Sequence, residues 1–225
     1  MNTEPVQLIE TMRVDPGNQI ALLHGHLARL RASCIAMGYD WPGDPLIDAL
    51  QRHRDALDAG LTHRMRLLVG PGRSYAIETD VLTPTPQPVT LHLSPEPLTA
   101  DAFWLRHKTT HRPWYAAAQR WLNDHPACFD VIFFNERDVL SEGTRTNVYV
   151  LDVAGVWLTP SLDCGALPGV QRQALLDSGQ VREATISRPQ FLAATSLRVS
   201  NALRGWLDAG LEPSTDAGAP PIMKP

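Results

Sequence analysis

Lys108 stands in the run Trp104-Leu105-Arg106-His107-Lys108-Thr109-Thr110-His111-Arg112, where aromatic surface and neighbouring cations both disfavour the ammonium form. A neutral amine is the nucleophile that condensation with a carbonyl requires. All other basic residues except Lys224 are Arg. One internal Lys kept in such a background fits a need for an amine that can lose its proton, which Arg cannot supply. The plain alternative is a solvated surface lysine in a composition that drifts toward Arg. His107 and His111, four apart, have the spacing by which one helix face offers two imidazoles to zinc. The Glu of a His-Glu-x-x-His site is missing and no third ligand accompanies them, so no metal is expected. No Gly-x-Ser-x-Gly elbow marks a serine nucleophile.

Three further places could hold a ligand around such an amine. Leu167-Pro168-Gly169-Val170-Gln171-Arg172 sets Pro and Gly just before a helical run, which leaves the first backbone N–H groups of that helix without acceptors and open to a phosphate. Arg29 either meets that phosphate or is solvated on its own helix. Glu142, in Leu140-Ser141-Glu142-Gly143-Thr144-Arg145-Thr146-Asn147, is either a turn carboxylate or the partner of a protonated ring nitrogen. Asn201 follows a short strand and is a turn residue unless that strand end lines a cleft.

The elements that must carry these residues alternate without a regular βαβ series, which predicts an α+β protein. A strand over 6–14, the turn Asp15-Pro16-Gly17-Asn18 and an apolar 20–23 predict a hairpin. Leu27, Leu30, Cys34 and Met37 recur at helical spacing over 24–37, with Gly38 as C-cap. A second helix is expected over 45–57 with Asp44 as N-cap. Strands follow at 65–69, 75–82 and 89–93. The Pro-rich 83–98 marks the edge between two domains, 1–100 and 101–211. Beyond it come a helix over 113–122 and strands at 130–135, 147–152 and 156–159. A helix over 170–176 and a last strand at 197–200 complete the pattern, and 212–225 reads as a loose tail.

Composition narrows the function. The chain has 225 residues, 44% apolar and 20% charged, with a net charge of −4, so it can bury a full core and has no basic field for nucleic acid or an anionic membrane. Three dispersed cysteines suggest reduced thiols rather than a disulfide framework. No signal peptide and no membrane-length apolar run is present, which predicts a cytoplasmic protein.

The ordered set Glu10-Thr11-Met12-Arg13, His26-Leu27-Ala28-Arg29-Leu30, Lys108, Glu142 with Asn147, Leu167 to Arg172, and Ser200-Asn201-Ala202-Leu203 resembles the class IV aminotransferases, pyridoxal-phosphate enzymes of fold type IV. The similarity spans nearly the whole chain up to Trp206. It implies two α/β domains with the cofactor between them, and a homodimer. It further implies that Lys108 holds the cofactor and shuttles a proton, that Glu142 pairs with the pyridine nitrogen, and that Arg29, the backbone of Val170 and Gln171, and Asn201 hold the phosphate. Gln171 stands where Thr or Met is more usual. Lys108 followed four residues later by Arg112 resembles the family's 4-amino-4-deoxychorismate lyases, and His107-Lys108-Thr109-Thr110 and Asn201-Ala202-Leu203-Arg204-Gly205-Trp206 resemble above all the modules fused to component I of aminobenzoate synthase. Glu10 arriving so early in the chain is similar to those modules and implies either an altered substrate pocket or a separate component I partner. The activities implied are thus a lyase releasing 4-aminobenzoate and pyruvate, a branched-chain or D-amino-acid transaminase, or a catalytically idle subunit that keeps the fold.

Overall fold

The structure, a computed structural model, describes residues 5–213. The tail expected over 212–225 lies outside the described residues from residue 214 on. Two sheets organise the chain. The first has three antiparallel strands in the order β1-β2-β3, namely β1 (Leu8–Val14), β2 (His63–Val69) and β3 (Tyr75–Val81). β1 and β2 alternate in burial, as strands with one covered face must. Leu8, Met12, Val14, Met65, Leu67 and Val69 pack there against Leu30 and Cys34 of α1 (Leu23–Met37) and Leu46 and Leu50 of α2 (Asp44–Asp55). Gly38 ends α1 in the left-handed region at φ 68° and donates to the Cys34 and Ile35 carbonyls, the C-cap expected of it.

Two local expectations fail here. Residues 20–23 form no strand: the turn closes only as an Asp15 to Gln19 bridge, and β1 pairs with β2 instead. Ile20 and Leu23 pack on the helix side of this core, so their apolar character serves the entry to α1. α2 is capped by Gly43, with Asp44 as its first residue and Pro45 behind it.

The second sheet has eight strands in the order β6-β5-β4-β11-β10-β7-β8-β9. These are β4 (Val89–Leu93), β5 (Asp130–Phe134), β6 (Leu140–Gly143), β7 (Asn147–Leu151), β8 (Trp157–Pro160), β9 (Val181–Ala184), β10 (Leu197–Asn201) and β11 (Gly205–Leu211). The change of sheet therefore falls within residues 82–88. β6 and β7 lie five places apart in the order yet are joined by residues 144–146 alone, so the sheet curls until its first strand meets its sixth. β5 is buried on both faces. Ile132 and Phe134 enter the larger core with Leu91, Val148, Val199 and Leu207, while Val131 and Phe133 pack with Leu105, Tyr115 and Leu122.

The remaining helices are α3 (Ala102–Arg106), α4 (Ala116–Asp124) after a 3-10 turn at Pro113–Tyr115, α5 (Val170–Asp177) and α6 (Arg188–Leu192). The strand predicted at 197–200 is not the last, because β11 follows it and pairs with both β10 and β4. Cys34 and Cys164 are buried free thiols, and Cys128 is half-buried. Among the described residues no helix is long and apolar enough to cross a membrane.

Candidate active site

Lys108 lies on an extended segment added to β1. Its carbonyl accepts the Ile9 N–H at 2.7 Å, and the Thr110 N–H donates to the Gln7 carbonyl at 2.8 Å. His107 and His111 are therefore not on a helix, and His107 Nδ1 lies 2.9 Å from Ser33 Oγ. Among the described residues no three His, Cys, Asp or Glu side chains gather as they would around a metal ion. Desolvation lowers the Lys108 amine to about 7; Arg112 and Arg29 push the same way, against Glu10 and Glu142. Capture of a carbonyl compound by this amine is expected to quicken with pH and to level off above about 7, measured as the rate of adduct absorbance. A rate still climbing near pH ~10 would return the amine to its ordinary range.

Lys108 shares a cavity of about 180 Å³ with Arg29, Arg112, Glu142, Val170 and Asn201. Gln171 does not line it, and borders instead a neighbouring cavity of about 310 Å³ that shares Ala202. A roomier cleft of about 360 Å³ beside Leu98 and Asn135 contains no lysine.

Glu142 is buried at the end of β6. Its Oε1 accepts the Tyr115 hydroxyl at 2.5 Å, and its Oε2 accepts the Leu167 N–H at 2.8 Å. Burial pushes this carboxyl up, against Arg112, Tyr115, the Leu167 amide and Lys108, and leaves it above the usual range. A carboxylate so placed gains from a cationic partner. The turn beyond it is gripped by Asp130, a buried carboxylate that accepts Thr144 Oγ1 at 2.5 Å, Thr146 Oγ1 at 2.6 Å and the Arg145 N–H at 3.3 Å. Gly143 is required by this close approach, since a Cβ there would fall on the Asp130 carboxylate and lie 2.7 Å from Thr146 Oγ1.

Helix α5 brings its first amides to the same cavity. Gly169 is its N-cap, and the Asn147 side chain donates to the Leu167 carbonyl at 2.9 Å; a Cβ on Gly169 would strike Asn147 Oδ1. Val170 opens the helix, where the first-turn N–H groups lack intrahelical acceptors and the helix dipole favours an anion. Arg172 holds the helix from behind: it is buried, donates to the Pro160 carbonyl at 2.8 Å and pairs with Glu183. Arg29, half-buried on α1, donates to Glu10 Oε1 at 2.9 Å, to Glu10 Oε2 at 2.5 Å and to the Pro168 carbonyl at 3.1 Å. His26 Nδ1 adds a 2.6 Å contact to Glu10 Oε2. Asn201 ends β10 and is held by contacts to the Arg145 carbonyl and the Arg204 N–H.

A desolvated amine, a buried carboxylate and a helix N-terminus thus line one cavity. The class IV aminotransferase family matches residues 7–209. A Schizosaccharomyces pombe protein provisionally named an aminodeoxychorismate lyase is 30% identical over 184 residues, covering 80% of this chain and 77% of that protein. A Mesorhizobium loti structure, provisionally an amino-acid aminotransferase, is 35% identical, with a TM-score of 0.83 over 92% of this chain and 100% of its own. The pyridoxal-phosphate-bound form of a hypothetical Mycobacterium tuberculosis aminotransferase shares the fold, at 21% identity and a TM-score of 0.73, over 92% of this chain and 81% of that one. The chain belongs to the class IV aminotransferase family. It is a pyridoxal-phosphate-dependent enzyme acting on a small molecule.

Proposed function

We propose that the enzyme is a lyase that converts 4-amino-4-deoxychorismate to 4-aminobenzoate and pyruvate. The observation that carries this reading is the meeting, in one cavity, of a lysine whose amine sits at about 7 and a guanidinium four residues on. The first provides the nucleophile and base; the second suits an anionic substrate. The S. pombe relative's name supports it.

Pyridoxal phosphate, when bound, supplies an electron sink in its ring. The residues around it would divide the work. Lys108 would hold the cofactor and, once the substrate amine displaces it, its Nζ would take the proton from the amine-bearing carbon. Glu142, with two oxygens already fixed by Tyr115 and Leu167, would pair with the pyridine nitrogen. The Val170 amide, with Arg29 and Asn201, would hold the phosphate, joined by the backbone N–H of Gln171, a residue that otherwise borders the neighbouring cavity. Glu142→Gln is expected to lower kcat by about 10²- to 10³-fold without destabilising the empty protein, because a buried charge is removed with its shape kept; turnover and thermal melting measured together check this.

The direct test is the visible absorbance of the protein with pyridoxal phosphate, followed by addition of 4-amino-4-deoxychorismate while pyruvate is assayed. Pyruvate release supports the lyase. An absorbance band without pyruvate, shifted by an amino donor, supports the second reading, a transaminase, which the 35% identity to the M. loti aminotransferase favours. No band would favour an idle subunit. The lyase reading brings with it a homodimer, a component I partner that makes the substrate, and a place in the cytoplasm.

A further inference from the structure

Residues 144–146 join β6 to β7, and several groups that face Lys108 hang from this one turn. The Thr144 carbonyl accepts Arg112 Nη2 at 2.8 Å, and the Arg145 carbonyl accepts the Asn201 side-chain amide at 3.3 Å. The Thr146 carbonyl accepts the N–H of Gly143, next to Glu142, at 2.8 Å. Asn147 follows and donates to the Leu167 carbonyl at 2.9 Å, at the entry to α5. Arg112, Glu142, Asn147 and Asn201 all line the Lys108 cavity, whereas Asp130 does not. Asp130 nonetheless anchors the turn. Its carboxylate accepts both threonine hydroxyls and the N–H groups of Arg145 and Val131, four donors at 2.5 to 3.3 Å. An ionised carboxylate has about four lone-pair positions, so all are filled; an amide would offer one oxygen to the same donors. Asp130, Thr144 and Thr146 are buried, and a donor released from this grip has no water to turn to.

Lys108 is mounted separately, on β1 through the Ile9 N–H. The turn reaches it through charge. Burial lowers the Lys108 amine most, then Arg112 and Arg29, against Glu10 and Glu142, and Arg112 stands where the Thr144 carbonyl holds it. Whatever fixes the turn therefore fixes the contacts opposite the lysine and part of the field on its amine. We propose that Asp130 is a positioning residue of the cofactor site, which through Thr144 and Thr146 sets where Arg112, Glu142 and Asn201 stand opposite Lys108. This role belongs to the pyridoxal-phosphate site and does not depend on the lyase reading.

Asp130→Asn disturbs several bonds at once and endangers folding, so single threonines of the full chain carry the test: Thr144→Val, Thr144→Ser and Thr146→Val. Thr159→Val is the comparison; it removes another buried hydroxyl of the same sheet, bonded to the Val148 carbonyl at 2.9 Å and outside the cavity. Each variant is measured for melting temperature, for pyridoxal phosphate affinity by visible absorbance, and for the pH dependence of the rate at which Lys108 captures that compound. Thr144→Val is expected to weaken affinity about tenfold, because a buried bond is lost. It should also raise the pH at which capture levels off, about 7 in the wild type, by roughly one unit as Arg112 leaves its mount. Thr144→Ser keeps the hydroxyl and should restore both. Thr146→Val should weaken affinity through Asn147 and α5 and leave the pH profile in place. Thr159→Val should lower the melting temperature alone. Arg112→Gln should itself raise the plateau, and adding Thr144→Val should raise it no further. An unshifted profile in Thr144→Val overturns the proposal. So does a serine variant that behaves as the valine one, or the same shift and loss of affinity in Thr159→Val.

Discussion

Lys108→Ala is expected to lower turnover by on the order of 10⁴-fold or more and to remove the visible absorbance of the cofactor-loaded protein, with no loss of thermal stability in the empty protein. The size follows from the number of tasks on one atom. On the proposed reading Nζ would hold the cofactor, withdraw a proton and return it, and a positioned base is alone worth about 10²- to 10⁴-fold. Stability is spared because the amine is held against desolvation and against the charges of Arg112 and Arg29, so its removal relieves an unfavourable environment. Lys108→Arg sharpens the point: a guanidinium keeps the positive charge yet cannot give up its proton at working pH. It should be as inactive as the alanine variant. An arginine variant that kept a tenth of the activity would mean that the lysine acts as a fixed cation and not as a base.

Removal of Glu10 should have the largest effect on folding. Its carboxylate lies on the covered face of β1 between Leu8 and Met12 and satisfies Arg29 and His26 together. Glu10→Ala leaves those partners without their counter-charge, which typically costs about 3–5 kcal/mol and corresponds to a fall in melting temperature of roughly 10 °C in a chain of this size. Cofactor affinity should fall with it, since Arg29 is aimed by that pair. The pH dependence has a definite sign. Burial raises the Glu10 carboxyl, but the charges and hydrogen bonds of Arg29 and His26 outweigh it and leave the group below its usual range. Its contribution is then complete above the unfolded value of about 4.3 and lost as pH falls through the lower folded value. Melting curves of wild type and Glu10→Gln should converge in acid; a gap that widened below pH ~4 would reverse the assignment.

Periodicity exposed the elements with one covered face, and composition exposed the lysine. α1 with its Gly38 cap, the strands of the first sheet and the helix after Leu167-Pro168-Gly169 were all legible, because apolar spacing and Gly or Pro positions are local signals. β6 was not: Leu-Ser-Glu-Gly is buried throughout and has two polar residues and a glycine, so nothing alternates. β9 and β11 and the five-residue helices α3 and α6 were equally silent, being short or set by pairing with distant strands. In the site, Lys108, Arg29, Glu142, Val170 and Asn201 converge, whereas Gln171 turns to the next cavity. Glu10 was visible only as part of a motif, and its grip on Arg29 and His26 was not. Asp130 and Tyr115 had no signal at all, since their partners lie 14 to 16 and 27 residues away in sequence. Contacts of that range arise from the curl of the sheet.

The Lys108 segment is stitched to the small sheet through Ile9 and Gln7, while Glu142 and Asn201 stand on strands of the large one and Val170 on the helix α5 that contacts its strand β10. A molecule held by both sets acts as a rivet, and every sub-global opening that parts the sheets must first release it. Such a molecule stabilises the chain by an amount set by its own abundance, about 4 kcal/mol at a thousand times its dissociation constant. Resistance to heat and to proteases would then follow the supply of the cofactor.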